Sequence, residues 1–222
     1  MPEGVKRAYD ASRRQELARQ SRARVLAVAR RQFLEAGYRA TTLAQIAAEA
    51  NVSVQAINKG FGNKPGLLKA LFDVATVGDD DPAPLAQRDW ITAIHAEPNA
   101  RKKLEMYARV LAEMLPRSAP IQLLIREAVS DPAMDQLWHG MRFGRLMGMT
   151  DLATNLERGG HLRDGVTLDR ARDVLWTYSS PELFELLVLD RGWDLDGYAT
   201  FIETGTIAAL LPNARQRSRP AP

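Results

Sequence analysis

The chain has 222 residues, of which 45% are hydrophobic and 26% charged, with a net charge of +3 and no cysteine. That length and apolar content suffice for one sizeable core and a smaller one, while disulfides and thiolate metal sites are excluded. No apolar run approaches the roughly 18 residues of a membrane span, and Met1 to Gln20 holds no apolar segment of signal-peptide type, so a cytoplasmic protein without a membrane partner is expected.

Residues 1–20 form a basic N-terminal arm with Lys6, Arg7, Arg13, Arg14 and Arg19. It extends the first helix, reaches a DNA groove as a flexible arm, or serves as a disordered, solubilising tail. In the first helix Leu26, Ala29 and Phe33 fall at i, i+3, i+7 with Val25 widening the stripe, while Arg24, Arg30, Arg31 and Glu35 face away and Gly37 marks the stop. Thr42-Leu43-Ala44-Gln45 has capping-box form, so a second helix begins near Leu43. About two turns later comes Asn51, which tolerates positive φ. Val52 follows as an apolar plug, and Ser53 as a new N-cap starts a short third helix. Asn63 caps a fourth, with Pro65 in its first turn and a buried stripe of Leu67, Leu68, Leu71 and Val74. This punctuation is that of a helix-turn-helix.

Charge is segregated in the same direction. Residues 1–72 carry 13 Lys/Arg against 5 Asp/Glu, net +8, which leaves −5 for the other 150 residues. Basic side chains suit the phosphates that dominate affinity for double-stranded DNA, and base edges in the major groove supply specificity. Near the start of the third helix, Val54, Gln55, Ala56, Asn58 and Lys59 are the expected exposed residues. A Gln or Asn amide pairs bidentately with adenine, so Gln55 is the first choice for reading a base.

The stretch resembles the DNA-binding domain of the tetracycline-repressor (TetR) family of bacterial transcription regulators. The residues that carry the resemblance are Ala29, Phe33, Gly37-Tyr38, Thr41-Thr42, Ile46-Ala47, Val52-Ser53, Ile57, Phe61, Lys64 and Leu67-Leu68. By that resemblance, Thr42 with the N-terminus of the second helix holds one phosphate, and Lys64 with the N-terminus of the fourth holds another. The third helix enters the major groove, and Lys59 is a further backbone contact. Asn58 stands where the family usually has a tyrosine, so it is either a weaker phosphate ligand or an extra base reader. Gln55 and Ala56 likewise replace the family's small residues.

Beyond Val77 the chain changes character. Gly78-Asp79-Asp80-Asp81-Pro82-Ala83-Pro84 is a connector, and its aspartates suit a solvated linker better than a metal site, since no partner motif accompanies them. Helices are expected at about 85–96, 99–115, 120–130, 132–158, 168–180, 181–191 and 195–211, with breaks at Pro116, Pro120, Pro132, Gly159-Gly160, Pro181 and Gly192. The fold class is all-α: an N-terminal helix-turn-helix domain over 21–79, joined by its fourth helix to a helical ligand-binding and dimerisation domain over 80–211, and a disordered tail over 212–222.

In the helix after Pro132, Met134, Trp138, Met141, Arg145, Met149 and Leu152 recur at helical spacing, as an adaptable cavity wall or as ordinary core. Arg145 on an apolar face needs a carboxylate, a carbonyl or a bound anion. Trp90, Tyr107, Met114, Trp176 and Tyr178 are further wall candidates for a small-molecule inducer. Gly140, Gly144 and Gly148 suit either close helix packing or a helix that bends. Leu183, Phe184, Leu186, Leu187 and Leu189, with Tyr198, Phe201, Ile202, Gly205, Ala208 and Ala209, look like a dimer surface, and the resemblance implies a four-helix bundle across a two-fold axis. His95, His139 and His161 are too dispersed for a local metal motif, and neither a nucleophile elbow nor a phosphate loop is present, so no enzyme and no cofactor is expected. The expectation is a homodimeric, ligand-responsive repressor of a palindromic DNA operator. The alternative is a helical adaptor without specific DNA binding, which leaves the segregated charge unexplained.

Overall fold

The structure, a computed structural model, describes residues 3–80 and 87–212, and every regular element among them is helical. Ten α-helices follow in order: α1 Glu3–Ala40, α2 Leu43–Ala50, α3 Val54–Phe61, α4 Lys64–Val77, α5 Asp89–Ala96, α6 Ala100–Glu127, α7 Pro132–Arg158, α8 Leu168–Tyr178, α9 Pro181–Phe184 and α10 Leu195–Leu210, with a π-helical turn at Glu185–Leu189 continuing α9. They form two compact units. One comprises the described residues through Asp73 with Leu124–Leu137, the other Val74–Leu123 with the described residues from Trp138 onward.

In the first unit the backbone of residues 3–20 continues α1, the first of the three possibilities for the basic arm. Gly37 interrupts that helix at φ 81°, ψ 169°, a conformation that L side chains avoid, and residues 38–40 resume a helical turn. Val25, Leu26, Ala29 and Phe33 are buried as their spacing requires, along with Ile46, Ala47, Ile57, Leu67 and Leu68. Distant residues also join this unit: Ile125 and Met134 are fully buried, and Arg39 hydrogen-bonds Ser130.

In the second unit a core runs through Leu104, Leu115, Leu156, Leu175, Phe184, Tyr198, Ile202 and Leu210. Here the expected breaks at Pro116 and Pro120 are corrected, because α6 passes through both prolines. Each proline removes one N–H and leaves the carbonyl four residues earlier without its helical partner. Burial on both sides of the lesion holds the helix together: Leu111, Leu115, Ala119 and Ile121 are all buried. Side chains add donors along the same turns, Arg117 Nη1 to the Glu113 carbonyl at 2.8 Å and Ser118 Oγ to that of Met114 at 3.1 Å.

A second correction concerns the small residues of α10. A Cβ on Gly205 would lie 2.3 Å from the Tyr178 hydroxyl, so this glycine makes room for a side chain of its own chain rather than for a partner helix. Tyr198 and Ile202 are fully buried as well, whereas Leu186 and Leu189 remain more than half exposed. On α7 the glycines 140, 144 and 148 lie on an open face, where an added Cβ would meet nothing within 4 Å, so close helix packing within the chain does not explain them. The tail from residue 213, the connector residues 81–84 and the expected helix start at 85–86 fall outside the described residues. Within the described part of that connector, Asp79 forms a bidentate ion pair with Arg88 at 2.9 and 3.0 Å.

Candidate nucleic-acid interface

The candidate interface is built from the ends of α2, α3 and α4. At the first, Thr42 caps α2 in extended conformation (φ −119°, ψ 151°), and both halves of the capping box form. The Gln45 N–H donates to Thr42 Oγ1 at 3.2 Å, while the Thr42 N–H and hydroxyl both donate to Gln45 Oε1, at 2.8 and 2.7 Å. The hydroxyl proton expected to hold a phosphate is therefore engaged by Gln45. Thr41, next to it, is buried and donates to the Gly37 carbonyl at 2.9 Å and to that of Gln32 at 3.1 Å, which fixes where α2 starts relative to α1.

The turn into α3 follows the sequence signals. Asn51 takes the left-handed conformation at φ 54°, ψ 51°, and the Val52 N–H returns to the Ala47 carbonyl at 3.0 Å. Ser53 then caps α3 by accepting from the Ala56 N–H at 3.1 Å. On α3 the only fully buried residue is Ile57. Val54, Gln55, Ala56, Asn58 and Lys59 are all exposed, so a single apolar anchor leaves five side chains of this short helix turned outward.

The turn from α3 to α4 is tight. Gly62 takes φ 82°, Asn63 Oδ1 accepts from the Gly66 N–H at 2.8 Å, and a Cβ on Gly66 would fall 2.0 Å from the Phe61 carbonyl oxygen. Only glycine fits there. Lys64, at the first position of α4, holds its Nζ 4.1 Å from the centre of the Tyr38 ring. Burial lowers its pKa and the charge of Asp131 partly restores it, so the amine is a cation steadied by an aromatic face with protons left to donate. Tyr38 is in turn stacked on Phe33, with centroids 6.2 Å apart. Sequence reading did not assign Tyr38 and Asp131 to Lys64, since nothing in local spacing joins positions 38, 64 and 131.

The residues expected to line a ligand cavity divide into groups. Arg145 lies 4.8 Å from the Trp176 ring, and Arg142 lies 5.2 Å from the same ring and 5.9 Å from that of Trp138. Met141 and Trp138 are nearly buried. Tyr107, fully enclosed, donates to the Leu175 carbonyl at 2.8 Å and has its hydroxyl 3.4 Å from the Met149 sulfur. Tyr178 packs instead on Phe201 at 5.8 Å, while Trp90 and Met114 are partly buried against the core. Tyr198, read from sequence as a dimer residue, lies inside, where it senses the Arg145 charge.

Residues 25–71 match the family model described as bacterial regulatory proteins, tetR family. Solved structures agree in fold over nearly the whole chain. The SmeT–triclosan complex superposes with a TM-score of 0.67 at 17% identity, covering 91% of this chain and 99% of that one. NalD, the secondary repressor of the MexAB-OprM multidrug efflux pump in Pseudomonas aeruginosa, gives 0.67 at 18% identity, covering 89% and 99%. A linker-substituted mutant of HlyIIR gives 0.59 at 18%, covering 88% and 98%. At these identities the likeness is one of fold. No curated protein sequence matches the chain. Among the described residues no helix is long and apolar enough to cross a membrane.

Proposed function

We propose that this chain, with a tetR-type helix-turn-helix over 25–71 and the fold of those regulators, is a homodimeric transcriptional repressor, acting in the cytoplasm and released from a palindromic operator by a small molecule. Residues 21–79 are its DNA-binding domain and 80–211 its ligand-binding and dimerisation domain. The observation that carries the reading is α3 itself, a capped two-turn helix with one buried anchor and every predicted contact residue exposed. A helix of this kind suits the major groove, with its N-terminal side chains against base edges. Gln55 then reads a base, Val54 and Ala56 make apolar contact, Lys59 lies toward the backbone, and Asn58 is either a phosphate ligand or an extra base reader. Thr42 and Lys64, at the N-termini of α2 and α4, hold phosphates. Exposed Leu186 and Leu189 support a dimer surface on the π turn, with the outer face of α10 beside it. Such a dimer presents two copies of α3 to half-sites centred about one helical turn or a little more apart.

Selection from random oligonucleotides tests the reading, and it should enrich one palindrome whose affinity falls steeply with salt. Gln55→Ala should relax preference at one base pair per half-site, at a cost of about 1–3 kcal/mol for the favoured base. Lys64→Ala should weaken all sequences alike and flatten the salt slope by about one unit. Failure to enrich any palindrome refutes the regulator.

A further inference from the structure

We propose that the Arg145 guanidinium, the Tyr198 hydroxyl and the Trp176 indole N–H together bind the carboxylate of a small, otherwise apolar acid. The inference rests on the ligand-responsive half of the function proposed above and names the chemical class of that ligand.

Arg145 is partly buried, and Nη1 donates to the Trp176 carbonyl at 3.1 Å. That contact caps the last turn of α8, where Ser179 Oγ already donates to the same carbonyl at 3.1 Å. It engages one of five guanidinium N–H groups. Arg145 has no ion pair among the described residues, and Glu182 supports its charge only through space. Arg142 adds a second cation against the same indole ring, and burial first and then that neighbouring charge lower the Arg145 pKa.

Two further donors of this region are unsatisfied. Tyr198 is fully buried and its Oη has no hydrogen-bond partner; Trp176 Nε1 is likewise buried and unpartnered. An edge-on contact with Phe184, centroids 5.4 Å apart, holds the Tyr198 ring in place. Burial also pushes the Tyr198 pKa far up, so the phenol keeps its proton and remains a donor. A tyrosine and a tryptophan buried for packing alone normally find an acceptor, and an arginine on an apolar face normally finds an anion. Here two unpartnered buried donors, Tyr198 Oη and Trp176 Nε1, accompany an arginine whose one hydrogen bond is to a carbonyl and which forms no ion pair with Glu182 among the described residues. Their complement is a group with several lone pairs and a negative charge, which a carboxylate supplies in the planar form that a guanidinium fork prefers. On the same helix as Arg145, Trp138, Met141 and Met149 recur at helical spacing and are the apolar, polarisable side chains available to re-pack around the rest of the molecule.

Calorimetric titration of the DNA-free protein with octanoate and phenylacetate, against octanol and phenylacetamide, tests the site. Both acids should bind and raise the melting temperature, and both neutral analogues should bind at least about tenfold more weakly. Arg145→Gln should remove that preference. Tyr198→Phe discriminates further, because deleting an unpartnered buried hydroxyl leaves the melting temperature of the unliganded protein unchanged or higher while acid affinity falls about tenfold. If Arg145→Gln fails to fold, Tyr198→Phe decides alone. The proposal is overturned if acids and neutral analogues bind alike, if neither acid binds, or if Tyr198→Phe destabilises the protein and leaves acid affinity intact. None of these measurements involves DNA, so oligonucleotide selection judges the regulator separately.

Discussion

Asn58 stands on the exposed side of α3, one position past the buried anchor Ile57. If it faces a phosphate, Asn58→Tyr should hold or improve affinity with sequence preference unchanged; a base-reading role instead predicts altered preference at one position per half-site, which selection with both proteins distinguishes. His95 permits a prediction about stability. Burial lowers its pKa, Lys103 lowers it further, and Asp151 opposes both. The folded protein therefore binds the proton less readily than the unfolded chain, whose histidine titrates near 6.5. Stability from this group is complete above that value and is lost as pH falls through the lower, folded pKa. Glu16 and Glu49, whose pKa values are lowered by Arg19 and Arg31, act in a more acidic window. His95→Gln should thus flatten the fall in melting temperature between about pH 7 and 5.5, and an unchanged slope would dismiss the histidine as its source.

At the scale of the element, the N-terminus of α2 would join stability to the proposed function through one hydroxyl. Thr42 donates its proton to Gln45, so the capped helix and the proposed phosphate contact would compete for it. Thr42→Ala should cost about 0.5–2 kcal/mol of stability and also weaken DNA binding. Gln45→Ala should cost stability through the lost half of the box, yet leave DNA affinity equal or higher, because the hydroxyl proton is released toward the phosphate. Chemical denaturation and a binding titration on both variants separate these outcomes. The prolines of α6 teach the opposite lesson about elements. Local rules place two breaks at 116 and 120, but those rules price a missing hydrogen bond at about 3 kcal/mol. A 28-residue helix buried before, between and after both prolines exceeds that through packing no window of sequence contains.

For the whole molecule, the ligand reading implies coupling between the acid site and the operator. A compound releases DNA only if it prefers a dimer whose recognition helices are wrongly spaced for successive major grooves. The coupling is then reciprocal: operator should weaken binding of the compound by the same factor, about 5–150-fold, by which the compound weakens operator binding. Titrations in both orders, on protein with and without operator, check that equality, and a mismatch would mean that compound and DNA do not act on one shared equilibrium.

What the sequence by itself determined lies in residues 25–71. There the capping hydroxyls of Thr42 and Ser53, the left-handed Asn51 and the spacing of Val25, Leu26, Ala29 and Phe33 are local signals, each acting within about one or two turns of its cause, and the structure realises them all. The all-α class was equally legible, because no alternating run competes with the helical periods. What only tertiary structure decided are pairings between distant positions: Lys64 over Tyr38 near Asp131, Gly205 under Tyr178, Tyr198 turned inward toward Arg145, and α6 unbroken by its prolines. Such choices depend on which apolar faces meet in three dimensions. A residue's own helix fixes its direction, but only the packed neighbours fix whether that direction leads to solvent, to a partner or to the core.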